Sequence, residues 1–199
     1  MDYKLKNFTA LVVTFLVVTS GIVLFQNQGS AGSIELSQGG GGGAFLRWEG
    51  IEGEATATGH EDEIQILSWS WGATKPGSSY SGLTSRKGDV IISDISIVKA
   101  LDKSSPKLFE YLAEGRVTPQ VQLFLTSAFV SGQQTFLEYE FNNVIITSYI
   151  QTGTGGGELT PLESFSFSFE EIKITYTEYD AEGRSRGTSE VVWKVERPA

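Results

Sequence analysis

Three groups of side chains in this sequence have the types and spacing to do chemistry. His60 stands beside Glu61 and Asp62, and an imidazole next to carboxylates is the beginning of a general base or a nucleophile-activating relay. Glu170 and Glu171 are an adjacent carboxylate pair, the raw material of a glycoside hydrolase. Trp48, Trp69, Trp71 and Trp193 offer aromatic faces, which on a β-sandwich can form a carbohydrate platform. Each group also lacks what that chemistry requires. No nucleophile or orienting group is marked for His60, so it reads as a hydrogen-bonding residue in a loop or at a strand entry. Neighbouring residues on a regular strand face opposite ways, so Glu170 and Glu171 read as bend residues or interface charges. Trp69 and Trp71 share a strand face with Leu67, and Trp193 shares one with Val191 and Val195, which is the pattern of core packing.

The inventory narrows the classes further. With no Cys and a single His among 199 residues, disulfides, thiolate metal sites and multi-histidine zinc sites are excluded within one chain. Fifteen Lys and Arg against 24 Asp and Glu give a net charge of −9, which repels phosphate backbones and argues against nucleic acid as a partner. No cofactor, metal or catalytic residue is expected.

The elements that position these residues begin after an unusual start. Lys4 and Lys6 precede Phe8–Phe25, eighteen residues without a charge. As a helix that run would be about 27 Å long, enough to cross a bilayer core. Gly29 and Ala31 form a small-x-small pattern for cleavage after Ala31. Residues 1–31 are therefore expected to be a signal peptide or a membrane anchor, with residues 8–25 the only membrane contact if uncleaved. Either way the remainder is delivered outside, to a secreted, cell-surface or periplasmic location. Gly39–Gly43 reads as the flexible part of a linker over residues 32–43, leading into a domain over 44–199.

That domain reads as mainly β. Ala44–Glu49, Glu63–Ala73, Asp89–Ile97, Gln120–Ser127, Thr135–Phe141, Asn143–Gln151, Glu163–Tyr179 and Ser189–Glu196 are strand candidates. In Glu63–Ala73, Ile64 and Ile66 share one face, and Gln65, Leu67, Trp69 and Trp71 the other. In Glu163–Tyr179 the apolar set moves from odd positions (Phe165, Phe167, Phe169) to even ones (Ile172, Ile174, Tyr176), which requires a bulge or sharp bend at Glu170-Glu171. One helix is expected over Ser105–Gly115, with Ser105 as N-cap, Pro106 at the first helical position and Gly115 beyond the end. The sum is an antiparallel β-barrel or sandwich with one short α-helix.

At this point a family resemblance covers the domain. Phe45-Leu46 through Ile51-Glu52-Gly53-Glu54, His60-Glu61-Asp62-Glu63-Ile64, Ser68-Trp69-Ser70-Trp71-Gly72, Asp102-Lys103-Ser104-Ser105-Pro106-Lys107-Leu108 and Phe165-Ser166-Phe167-Ser168-Phe169-Glu170-Glu171-Ile172 occur in order. Thr175-Tyr176, Gly183 and Trp193 follow. Together they resemble the haemolysin-coregulated protein (Hcp) family, the tube proteins of type VI secretion systems. The resemblance implies a small β-barrel flanked by the helix, closing into hexameric rings that stack into a hollow tube carrying effector or cargo proteins. It supplies no catalytic residues. It also implies that the long loop Thr74–Gly88 reaches a neighbouring ring, which makes Lys75, Tyr80, Arg86 and Lys87 the candidate inter-ring contacts. The export segment is a departure, since family members serving the secretion machine are made without one. The expected function is an exported, self-assembling structural protein, not an enzyme; the alternative is a monomeric surface-displayed or secreted module that binds glycan or protein.

Overall fold

The computed structural model describes residues 42–75, 90–153 and 160–195. All lie in Ser37–Ala199, the second of two units into which the chain divides. In chain order the elements are β1 (Ala44–Trp48), β2 (Ile64–Ile66), β3 (Ser68–Ser70), β4 (Ala73–Thr74), β5 (Ile91–Ile92), β6 (Ile95–Ala100), α1 (Ser105–Glu114), β7 (Val117–Phe129), β8 (Gly132–Thr152), β9 (Leu162–Ser168), β10 (Glu171–Tyr179) and β11 (Ser185–Lys194). The mainly-β reading with one short helix is correct. The expected signal peptide or anchor over residues 1–31, and most of the expected linker over residues 32–43, lie outside the described residues.

All pairings are antiparallel, and the principal sheet runs β2-β1-β7-β8-β9-β6-β3, with β10 joining β8 to β11; β4 and β5 pair separately. The barrel expected from the sequence is not formed. The hydrogen-bonded path ends at β2 on one side and β3 on the other, and no ladder joins them. These two strands follow one another in the chain, separated by Leu67, so they lie in series rather than side by side. Leu67 is exposed, and the interruption there changes the parity. Ile64 and Ile66 are buried, and Trp69 and Trp71, expected on the opposite face, pack against the same core.

The 21-residue β8 connects two strand groups. One of its edges follows β7. The other pairs first with β10, through residues 137–142, and then with β9, through residues 145–152. Asn143, between the two, has φ 54°, the left-handed region that asparagine tolerates better than most residues. The partner chain changes direction at the same level. A bend at Phe169-Glu170 separates β9 from β10, where the parity shift required it, and Phe165, Phe167, Phe169 and Ile172 are all buried. Between the groups lies one core built on Leu46, Trp48, Ile97, Leu123, Phe141, Phe165 and Phe167. The Trp48 indole donates to Thr118 Oγ1 at 2.8 Å, which removes the cost of burying its N–H.

The helix starts one residue earlier than expected. Ser104, not Ser105, is the N-cap, and its side chain makes no cap bond because its hydroxyl donates to Asp102 Oδ1 at 2.5 Å. Pro106 follows in the first turn. Gly115 ends the helix at φ 63°, with its N–H directed to Leu112 O. Leu108 and Tyr111 face the core.

Candidate functional site

His60 lies in the loop between β1 and β2 and is 8% exposed. Its ring stacks on Phe45 with centroids 4.6 Å apart and planes 5° apart, and it touches Phe124 from another side. Nδ1 meets Glu63 Oε2 at 2.8 Å. The second oxygen of Glu63 receives Arg47 Nε at 2.9 Å and Nη2 at 2.6 Å, and the guanidinium lies over the Phe124 ring. A carboxylate so occupied holds its neighbours in place; it is not a free base. This is the loop hydrogen-bonding role expected for His60, and it clasps β1 to the entry of β2.

A second polar cluster escaped the sequence reading. Lys99 is 0% exposed and its directly opposed neighbour on β9, Glu163, is 1% exposed. Lys99 Nζ donates to Glu163 Oε1 and Asp102 Oδ1, both at 2.7 Å, and to Ser105 Oγ at 3.3 Å. Glu163 Oε2 accepts from the Tyr149 hydroxyl at 2.6 Å and from Gln151 Nε2 at 3.3 Å. Burial, and then the hydrogen bond to Glu163, push the Tyr149 phenol well above its ordinary range. The cluster fastens the entrance of α1 to the β6–β9 ladder. The signal was present: Lys99 continues the inward parity of Ile95 and Ile97, as Glu163 does that of Phe165 and Phe167.

Glu170 lies in the bend, and Glu171 is the first residue of β10. Two consecutive asparagines of β8 hold them: Asn143 Nδ2 donates to Glu170 Oε2 at 2.8 Å, and Asn142 Nδ2 to Glu171 Oε1 at 3.1 Å. Among the described residues no group of three or more His, Asp or Glu side chains could hold a metal ion. Of the expected inter-ring contacts, Lys75 directly follows β4 and is exposed, while Tyr80, Arg86 and Lys87 lie outside the described residues. The aromatic side chains divide. Trp48 is buried and Trp69 and Trp71 pack on the core, whereas Trp193, expected in the core, is 48% exposed.

What remains is surface. The outward face of β3, β6, β9 and the second half of β8 carries Ser70, Ser96, Val98, Ser164, Ser166 and Ile150, and at its end the Thr147 hydroxyl donates to Asp94 Oδ2 at 2.6 Å. The outward face of β10 and β11 is charged, with Lys173 paired to Glu190 and Lys194 to Glu171. A shallow groove of about 250 Å³ opens between Phe129, Phe136, Tyr176 and Tyr179. It holds aromatic rings and hydroxyls, suited to contact rather than to bond-breaking.

Comparison with known proteins agrees with this arrangement. Residues 45–176 match the model of the family described as type VI secretion system effector, Hcp. Protein hcp1 of Pseudomonas aeruginosa is 31% identical over 143 residues, covering 72% of this chain and 88% of that protein. A solved type six secretion system protein superposes with a TM-score of 0.71 at 25% identity, covering 77% of this chain and 95% of that one. Hcp1 of Salmonella typhimurium gives a TM-score of 0.62 at 27% identity, with coverages of 77% and 95%. The chain belongs to the Hcp family, and it is an exported structural protein.

Proposed function

We propose that the protein self-assembles into rings that stack into a hollow tube resembling the type VI secretion tube, with an effector or cargo protein as passenger. The family match over residues 45–176 carries this reading. Two surface features support it. β11 is exposed along all ten residues and, among the described residues, pairs only with β10, and a long open strand edge promotes aggregation unless an assembly covers it. Head-to-tail contacts that close on themselves cover such an edge without leaving a growing end in the ring plane. The serine-bearing face suits the wall of a channel, because a passenger moving along it meets hydroxyls and small apolar groups rather than ion pairs. In this reading residues 1–31 direct export, residues 32–43 are the linker, and Lys75, Tyr80, Arg86 and Lys87 reach the adjoining ring. Sedimentation velocity and negative-stain electron microscopy of the exported protein test it. Rings are expected; monomers at every concentration and salt would overturn it.

A second reading, a monomeric binding module for glycan, is favoured by the aromatic groove and by the half-exposed Trp193. Saturable quenching of tryptophan fluorescence by a glycan, with the protein sedimenting as a monomer, would establish it instead.

A further inference from the structure

The open edge of β11 carries its own complement. The register shift opposite Glu178 and Tyr179 puts a bulge at one end of the strand, so the regular edge runs over residues 187–194. Just past its other end, the Val195 N–H donates to Glu170 O at 2.8 Å. Backbone groups of successive residues alternate sides in a strand, so Trp193 and Val191 also direct theirs at β10. Glu190, Val192 and Lys194 direct theirs at the open edge. The side chains of those three share the outward face, whereas Val191 and Trp193, opposite Ile174 and Ile172, share the core face. Val191, Val192 and Trp193 are 52%, 49% and 48% exposed. The run Glu190-Val191-Val192-Trp193-Lys194 thus places opposite charges at equal distances from Val192, both on one face.

We propose that a second copy of this chain pairs antiparallel along this edge, about a twofold axis at Val192. An added strand must align with Glu190, Val192 and Lys194, which carry the free donors and acceptors, and this restricts its register to steps of two residues. With Val192 opposite Val192 of the second copy, Glu190 meets Lys194 of the second copy, and symmetry repeats the pair. On the core face Val191 meets Trp193 of the second copy. That is a β-branched residue against an aromatic ring, in the non-hydrogen-bonded position where side chains come closest. A slip of two residues either way sets Glu190 or Lys194 against Val192. A slip of four sets Glu190 against Glu190, or Lys194 against Lys194. The charges already in place extend the match. Within one chain Glu190 pairs with Lys173 at 2.9 Å and Lys194 with Glu171 at 3.7 Å, and both side chains stay exposed. Joining the edges makes a row that alternates in sign: Lys173, Glu190, then Lys194 and Glu171 of the second copy. Glu178, the charge on the core face of the hairpin, lies opposite Gly187, outside the paired run. An isologous contact of this kind closes at two copies and builds no ring. It occupies the edge that ring closure would cover, so paired copies must separate before a ring can close, and the contact stands independently of the ring reading.

The absence of cysteine makes the edge simple to probe. Across a hydrogen-bonded antiparallel pair the Cα atoms lie about 5.5 Å apart, within reach of a disulfide. In the exported protein, V192C should oxidise to a linked dimer. T188C should not, because its two copies stand roughly 26 Å apart in this register. By sedimentation velocity E190K and K194E should each weaken dimerisation by roughly tenfold or more, since each sets like charges together at both ends. An equimolar mixture of the two variants should recover the dimer, because opposite charges then meet at both ends. Equal linking of V192C and T188C, or a mixture no stronger than its components, overturns the contact. Rings from the unsubstituted protein, with no dimer at lower concentration and no V192C link, overturn it and leave the ring reading intact. Dimers with the expected pattern and no rings at any concentration overturn the ring reading alone. Monomers throughout overturn both.

Discussion

Lys99 Nζ lies 2.7 Å from Glu163 Oε1, and both side chains are closed off from water. Desolvating such a pair costs much of what its attraction returns, so its removal as a pair and its disruption are different experiments. Glu163→Gln leaves the ammonium with Asp102 as its remaining carboxylate partner and should lower unfolding stability by about 3 kcal/mol. The combined change Lys99→Met with Glu163→Leu should recover most of that loss. Urea denaturation of the three proteins gives the comparison. A single variant as stable as the parent would mean that the ion pair does not hold α1 to the sheet.

Tyr149 shares the Glu163 carboxylate and makes the cluster sensitive to alkali. Its phenol is raised above the ordinary tyrosine value of 10.0 by burial and by Glu163, so the folded state binds that proton more tightly than the unfolded chain. The associated stability is fully present below pH 10 and falls as pH rises beyond it. Tyrosine ionisation followed by ultraviolet absorbance should therefore show a component that appears only as the protein unfolds. In Tyr149→Phe that component should vanish and the alkaline decline in stability should be shallower.

How much of this was legible depends on how far alternation runs unbroken. The parity change between Phe169 and Ile172 located the bend, and Ser105-Pro106 with Gly115 located the helix to within one residue. At Leu67 the same reasoning failed. The apolar residues Ile64, Ile66, Trp69 and Trp71 change parity there, as the apolar set does at Glu170, and strict alternation through Leu67 puts the tryptophans on the wrong face. A lysine in inward parity, as Lys99 is, has meaning only once Glu163 is known to lie opposite it, and that is long-range pairing. Sheet closure is of the same kind: alternation identifies strands and faces, not which edges meet. Trp193 shows the limit, since its flanking valines mark an apolar face without showing whether anything covers it.

The clasp around His60 depends on a glycine at position 53. The Gly53 N–H donates to Asp62 O at 2.8 Å, and a Cβ there would run into the carbonyl of Glu63 and the backbone at Ile64. Gly53→Ala should push the β2 entry away from the loop, disturb the Glu63 contacts to Arg47 and His60, and cost about 1–3 kcal/mol. The His60 ring protons, shifted by stacking on Phe45, report the change directly by NMR. An unaltered shift together with unaltered stability would show that the loop absorbs the methyl group elsewhere.

Asn143 serves the corner of β8 in two ways, and substitutions separate them. Its φ of 54° suits a residue that tolerates the left-handed region, and its side chain donates to Glu170 at the facing bend. Asn143→Gly keeps the backbone conformation and loses one exposed hydrogen bond, so the expected cost is under about 1 kcal/mol. Asn143→Val loses the same bond and forces a β-branched residue into a disfavoured conformation, for about 2–3 kcal/mol. The difference between the two isolates the backbone contribution. If chemical denaturation finds the variants equally stable, the backbone at Asn143 is not what turns β8 from β10 to β9, and the corner rests on the Glu170 contacts alone.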